Sequence, residues 1–396
     1  MSKLEQLIEE LCPDGVEYVK IGLCLEKVTN INWVNAKGKV FQYIDLTSVD
    51  RDTHQISETQ IITTETAPSR AQQIVARGDV LLGTTRPMLK RFCQVPNEYD
   101  KQVCSTGFCV LRAKENILIS GWLYHIISST DFFTYVEKFQ KGASYPAITD
   151  IDVKSFTIPL PPLPVQEEIV RILDNFTELT AELTAELTAE LTARKKQYEY
   201  YRNRLYILTA ESWEKLDNVA IMKRGDYITK KGVIPGDVPV ILGGQEPAYY
   251  CNQSNHNGEA IVISRSGAYA GFVSFWNCPI FVTDGFIIEA MSTLNLRFLY
   301  HYLKNIQQDL HDTKRGGGVP HVRGNEIMNM NVPIPYPQDV AKSLVEQQRI
   351  VDILDRFDTL CSDISSGLPA EIKARQQQYE YYRDKLLTFP KAEVEV

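Results

Sequence analysis

Apolar positions along the chain follow two different rhythms. At Ile169, Ile172, Leu173, Phe176, Leu179, Leu183, Leu187 and Leu191, and again at Ile350, Ile353, Leu354, Phe357, Leu360 and Ile364, they recur in steps of three and four. That spacing lines up one narrow stripe on an α-helix. Two helices with one apolar seam each, in one chain, are expected to bury those seams against each other as an antiparallel coiled coil. Elsewhere, short β-branched or aromatic runs such as "VFQYIDL", "DVLLGTT", "PVILGG" and "AIVIS" lie between Gly, Asn and Asp turns and predict strands. The segments "SGWLYHIISSTDFFTYVEKFQ" and "LRFLYHYLKNIQQDLH" again carry helical periodicity. The proline-rich exits "IPLPPLPVQEE" and "VPIPYPQDV" favour extended backbone followed by a helix start. The stretch "SSGLPAE" around Gly367 to Pro369 is expected to break or kink the second helix, because proline removes a helical donor.

The same pattern is written twice. "QEEIVRILDNFTEL" (Gln166 to Leu179) matches "QQRIVDILDRFDTL" (Gln347 to Leu360), and "ARKKQYEYYRNRL" (Ala193 to Leu205) matches "ARQQQYEYYRDKL" (Ala374 to Leu386), in one common register. Upstream the echo is fainter but ordered: "GDVLLGTTR" with "GEAIVISRS", "TGFCVLRA" with "DGFIIEAM", "WLYHII" with "FLYHYL", and "GASYPAITDIDVKSFTIPLP" with "GGGVPHVRGNEIMNMNVPIP". The fold class expected is α+β, with two α/β domains separated by two long helices and a pseudo-twofold internal repeat. The boundaries expected are 1–158 for the first domain, 159–208 for the first helical spacer, 209–335 for the second domain, 336–390 for the second spacer and 391–396 for a tail.

Inside the first spacer, "TAEL" is spelled three times without a break from Thr180 to Leu191. Ala, Glu and Leu are good helix formers and threonine is tolerated. Four residues at ~100° each turn the helix ~400°, so the leucine stripe drifts ~40° per tetrad while the helix grows by ~6 Å. A tetrad is therefore an increment of length and rotation. Replication slippage in a tolerant helix is the plain alternative, and the equivalent flanking domains favour a spacer that sets a distance.

Composition narrows the class. A chain of 396 residues exceeds what one core usually organises. The start "MSKLEQLIEELCPDGVEY" lacks the apolar stretch of a signal peptide, and no run approaches the ~20 apolar residues of a membrane span, so a cytoplasmic location and no membrane partner are expected. Eight cysteines are scattered without zinc-ligand spacing and the six histidines form no cluster, so core thiols and no metal site are expected. A net charge of −8 argues against an all-over grip on nucleic acid but leaves room for local basic faces. No GxxxxGK[ST] loop is present, and the Pro161–Pro162 pair lacks the polar residue that opens an amino-methyltransferase [DN]PP[FY] loop.

The order of variable domain, "IPLPPLPVQEEIVRIL", TAEL run, "ARKKQYEYYR", variable domain, "VEQQRIVDILDRFDTL" and "ARQQQYEYYRDKL" resembles the specificity (S) subunits of type I restriction-modification systems. It looks most like their TAEL-bearing subgroup, called type IC. The resemblance covers essentially the whole chain, with the variable domains matching only in outline. It implies a non-catalytic DNA sequence-specificity subunit whose two domains each read half of a bipartite, asymmetric double-stranded site. It also implies helices that set the gap and dock two methyltransferase (M) subunits, with two restriction (R) subunits joining the assembly. No cofactor is then expected on this chain; S-adenosylmethionine, ATP and Mg2+ belong on the partner subunits. The rival readings are a self-contained DNA methyltransferase or nuclease, and a coiled-coil adaptor without a DNA role.

DNA reading needs Arg, Lys, Asn, Gln, Ser or Thr on loops that reach base edges or phosphates. After a predicted strand, "TTRPMLKR" supplies Thr84, Thr85, Arg86, Lys90 and Arg91; at the equivalent place "SRSGAYAG" supplies Ser264, Arg265, Ser266 and Tyr269. Turns with salt-bridged arginines are the simpler reading of both. "TKRGGGVPHVRG" holds Lys314, Arg315, His321 and Arg323, and its counterpart holds Lys141 and Ser144; phosphate contact and plain loop turning are open there. Gln245 and Tyr249 could pair with adenine or stack, although tyrosine in a β-domain is more often packing. The repeated "QYEYYR" places Tyr198, Tyr201 and Arg202, and Tyr379, Tyr382 and Arg383, at helical spacing, for partner docking or for packing between the helices. The leucines Leu179, Leu183, Leu187 and Leu191 form the spacer stripe.

Overall fold

Strand pairing builds the same small architecture twice. The computed structural model describes residues 2–228, 233–316, 319–362 and 367–392. It divides into one unit of Met1–Ala185 with Lys373–Val396 and a second of Glu186–Ile372. In the first unit, Glu17–Lys20 pairs antiparallel with Thr157–Leu160. A three-stranded sheet has Val80–Gly83 between Phe92–Gln94 and Phe108–Leu111, and a four-stranded sheet has the order Gln60–Ile62, Phe41–Ile44, Val103–Ser105, Ala71–Ile74. The second unit pairs Ser212–Lys215 with Asn331–Ile334. Its four-stranded sheet runs Ala220–Arg224, Gly285–Ala290, Ala260–Ser264, Val273–Trp276, beside a three-stranded sheet centred on Val238–Ile241. Each unit also pairs two of its strands in parallel at the matching place, Tyr43 with Val103 and Val240 with Phe281.

The helices expected from periodicity pack on these sheets. In the first unit Trp122 and Leu123 (helix Ser120–Ser128) and Phe132 and Val136 (helix Thr130–Phe139) join Val80, Leu82 and Leu111 in one core. In the second, Phe298, Leu299 and Leu303 (helix Leu296–Asn305) join Ile261, Ile263 and Ile288. Side chains of this size stabilise by ~1.5–3 kcal/mol each when fully buried. All eight cysteines are free thiols, and burial pushes Cys93 up to about 12.

The spacer is one helix, Leu163–Thr209, and a second that is interrupted, Val340–Ser362 followed by Leu368–Leu386. Pro369 falls in the first turn of the last helix, where a missing N–H does no harm. The seam residues divide their work in a way that periodicity alone did not reveal. Ile169 and Leu173 are fully buried in the first unit's core, and Ile350 and Leu354 in the second's, so the start of each seam faces its own domain. Further along, helix meets helix inside each unit. Phe176 stacks on Tyr382 with centroids 6.4 Å apart, and Thr177 meets the Tyr379 hydroxyl at 2.8 Å. In the second unit Phe357 lies between Tyr198 and Tyr201, at 6.1 and 6.0 Å. In the first unit the step from Phe176 to Thr177 along the long helix is matched by a step back from Tyr382 to Tyr379 along its partner, so that pairing is antiparallel. The leucine stripe is less covered than a tight seam would be: Leu179 is 60% exposed, and Leu183, Leu187 and Leu191 are half-buried. Ile364 lies outside the described residues.

Each helix is joined to its domain by a buried glutamine. Gln166 accepts from the Ile119 N–H at 3.0 Å and donates to the Pro161 and Ile117 carbonyls at 2.7 and 3.0 Å. Gln347 accepts from the Asn295 N–H at 2.7 Å and donates to the Ser343 hydroxyl at 3.0 Å. Neither side chain is exposed. A second repeated tie joins buried His125 to Asp174 at 2.9 Å and buried His301 to Asp355 at 2.6 Å. Beside the first latch, hydrogen bonds from Arg171 and Lys3 hold the Glu168 carboxyl down to about 2. Replacing Gln166 with Leu leaves the half-buried Ile119 N–H and the buried Pro161 carbonyl unpaired and should destabilise the first unit by about 1–3 kcal/mol. Hydrogen exchange should then accelerate in peptides covering residues 117–127 and stay unchanged in the second unit; unaltered exchange in the first unit would contradict the latch.

Candidate nucleic-acid interface

Two loops in each unit close on one another through main-chain hydrogen bonds. In the first unit the loop after Val80–Gly83 meets the loop around Tyr145: the Arg86 N–H donates to the Pro146 carbonyl at 2.7 Å, and the Ile148 N–H to Thr84 at 3.0 Å. Lys141 and Ala147 exchange both of their bonds, at 2.8 and 2.9 Å. In the second unit the Gly267 N–H donates to Pro320 at 3.0 Å and the Val322 N–H to Arg265 at 2.9 Å, while Arg315 and His321 exchange bonds at 2.9 and 3.0 Å. The turn needs a left-handed residue next, and glycine provides it both times: Gly142 has φ +105 and Gly316 φ +122. Loops that share few letters thus build one clasp. The sequence parallel slips by one residue within it. Strand pairing sets Gly83 and Ile263 at equivalent places, opposite Phe108 and Phe286, but Ser264 stays in its strand. Arg86 consequently corresponds to Gly267, and Thr85 to Ser266.

The structure brings Thr84, Thr85, Arg86, Lys141 and Ser144 together in the first clasp, and Arg265, Ser266, Arg315, His321 and Arg323 in the second. Their side chains are not equally available. The Thr84 hydroxyl donates to the Gly107 carbonyl at 2.9 Å, whereas Thr85, Arg86, Lys141 and Ser144 are exposed. The Arg86 guanidinium lies over the Tyr145 ring at 4.3 Å, and the Lys90 ammonium over Phe133 at 5.1 Å. Arg91 is half-buried, with its Nε unpaired among the described residues. Ser264 is buried in its strand and Tyr269 is exposed. Asp284 engages Arg265 at 3.3 Å and accepts from the Ser266 hydroxyl. Lys314 contacts His311 at 2.7 Å.

In the second unit the clasp borders an open pocket of about 500 Å3 lined by Arg224, Arg265, Arg315, His321 and Arg323. Among the described residues no carboxylate lies within ion-pair distance of Arg224, Arg315 or Arg323. Such a cluster suits phosphate oxygens or the acceptor edge of a base. It is a local positive surface on a chain of net charge −8. Arg224 escaped the sequence reading because it ends a strand whose register, opposite Phe286, is non-local. Tyr145 was hidden in a loop marked only by Lys141 and Ser144. Gln245 is exposed on a loop whose Gly243 backbone abuts Ser266 and Asp284. Tyr249 packs instead with Val240, Cys251 and Phe281.

The tyrosines of the repeated helical motif separate into two kinds. Tyr198 bonds the His301 ring at 3.2 Å and burial pushes it up to about 12; Tyr379 is the counterpart that meets Thr177. Arg202 donates to Asn305 at 2.9 Å, and Arg383 to Asp384 at 2.9 Å. Tyr201 and Tyr382 stack on phenylalanines yet keep an exposed face, next to the more exposed Tyr200 and Tyr381.

Comparison with known proteins places this geometry. The family described as the type I restriction modification DNA specificity domain matches residues 18–193 and 210–374. A Haemophilus influenzae chain assigned as a type I restriction enzyme specificity subunit is 35% identical over 71% of this chain and 74% of its own. The Escherichia coli EcoR124I/EcoR124II specificity subunit is 34% identical over 62% of this chain and 66% of its own. A chain from a structure describing assembly and conformational transition of the type I R-M system superposes with a TM-score of 0.75 at 24% identity, covering 95% of this chain and 98% of that one. The HsdS subunit from Thermoanaerobacter tengcongensis gives 0.58 at 24% identity, covering 95% and 97%; these two likenesses concern the fold. With both halves matched by its profile, the chain belongs to the type I restriction-modification DNA specificity family.

Proposed function

We propose that this chain selects the DNA sequence for a type I restriction-modification assembly, each unit reading one half of a bipartite, asymmetric site through its loop clasp. The observation that carries this reading is the clasp itself: one main-chain scaffold recurs in both units while the side chains it presents differ. A reader of two unlike half-sequences needs that combination. Exposed arginines, lysines and hydroxyls at each clasp supply the donors that phosphates and base edges accept.

The helices then act as spacer and dock. Two M subunits seat on the two copies of the helical motif, with Tyr200, Tyr201, Tyr381 and Tyr382 offering aromatic surface. Two R subunits complete the assembly, and S-adenosylmethionine, ATP and Mg2+ belong to those partners. This chain contributes selection and geometry rather than catalysis.

One TAEL tetrad turns the helix ~40°, close to the 34 to 36° per base pair that follows from about 10–10.5 pairs per turn of B-DNA. The rise differs, ~6 Å against ~3.4 Å, so an inclined helix or bent DNA must absorb the difference. Deleting Thr180–Leu183 should shorten the recognised gap by about one base pair and leave both half-sequences intact, as read by methylome sequencing of a strain carrying the deletion. An unchanged gap or altered half-sites would end the spacer reading. Replacing Arg315 and Arg323 together with Ala should weaken DNA binding by the assembled methyltransferase and flatten its salt dependence by about 2 in log–log slope if both contact phosphates; titration of binding at several salt concentrations measures this. An unaltered slope with intact affinity would remove both residues from the interface.

A further inference from the structure

The two clasps differ most informatively at one place. Arg86 adopts left-handed backbone, φ 49 and ψ 57, where the second unit has Gly267 at φ +84. Glycine is at ease there, while a residue with a Cβ is disfavoured. Across the clasp, Tyr145 stands 70% exposed where the second unit has Val319. The second clasp makes the same hydrogen bonds with glycine and valine, so closing the loop requires neither the arginine nor the tyrosine. Strain kept at a position that folds without it points to a role outside folding.

The arrangement of the pair indicates what that role is. The guanidinium carbon lies 4.3 Å from the centre of the Tyr145 ring, so the exposed arginine is backed by an aromatic face. Among the described residues no carboxylate lies within ion-pair distance of it, whereas Arg265 of the second unit is engaged by Asp284. A planar fork can grip phosphate oxygens or the O6 and N7 acceptors of one base; Lys141 on the facing loop already supplies an exposed charge for phosphate, which favours the base edge for the ring-backed arginine. We propose that Arg86, positioned by Tyr145, reads a guanine in the half-site of the first unit. This rests on the specificity reading above and assigns a base to one side chain.

The experiment uses the assembled methyltransferase with Arg86→Gly, Arg86→Lys and Tyr145→Leu variants, and duplexes in which each base pair of the first half-site is replaced in turn. Arg86→Gly installs the residue of the other clasp, so the fold should hold, and a thermal melt checks it. The expected result is a loss of about 10- to 100-fold on the native site, with discrimination abolished at one G·C pair and kept everywhere else. Arg86→Lys and Tyr145→Leu should each lose part of that discrimination. Uniform weakening on all duplexes, with a salt slope smaller by about 1, would make Arg86 a phosphate contact and overturn the proposal. So would unchanged discrimination, or a first half-site without a G·C pair. Wild-type assembly that prefers no sequence would instead overturn the specificity reading itself.

Discussion

The structure depends on the need to satisfy every polar group where a helix leaves its domain. In each unit a fully buried glutamine near the helix root pairs with backbone of the domain, the Ile119 N–H and the Pro161 carbonyl in the first and the Asn295 N–H in the second. An unpaired group in that position would be expensive. The histidine–aspartate ties and the apolar start of each seam act on the same junction. Domain and helix are thereby joined inside each unit. A helix that is loose at its root could not transmit a length or a rotation, so the spacer role presupposes this junction.

On that frame the loops are free to differ. The clasps hold their backbones by mutual hydrogen bonds and a left-handed glycine, which makes few demands on the other side chains. The first clasp offers an arginine backed by a tyrosine; the second offers a basic pocket and an arginine checked by Asp284. Under the proposed function, a scaffold fixed through main chain and varied through side chain would let one fold read different sequences.

Repetition made most of the architecture legible in the sequence. The strand runs and their fainter repeats carried the α+β plan, the matched helical segments the antiparallel pairing, and Pro369 the interruption of the second helix, because each of these signals is local. Long-range pairing was not legible. The burial of Ile169 and Leu173 in a domain core, the one-residue slip that puts Arg86 opposite Gly267, and the entry of Arg224 into the pocket all depend on strand register between distant segments. The candidate residues on the two loop pairs were found from residue type and equivalent position, yet their availability was hidden: Ser264 is buried, Thr84 is spent on a carbonyl, and Tyr249 is packing.

Independence of the two readers is the central claim, and exchanging one of them tests it most directly. Residues 209–335 would be replaced by the corresponding segment of a family member with a known target, and the methylated motif of the resulting strain sequenced. The account predicts a motif with the original first half, the original gap and the donor's second half. A motif changed in its first half, or one whose second half stays as before, would contradict it.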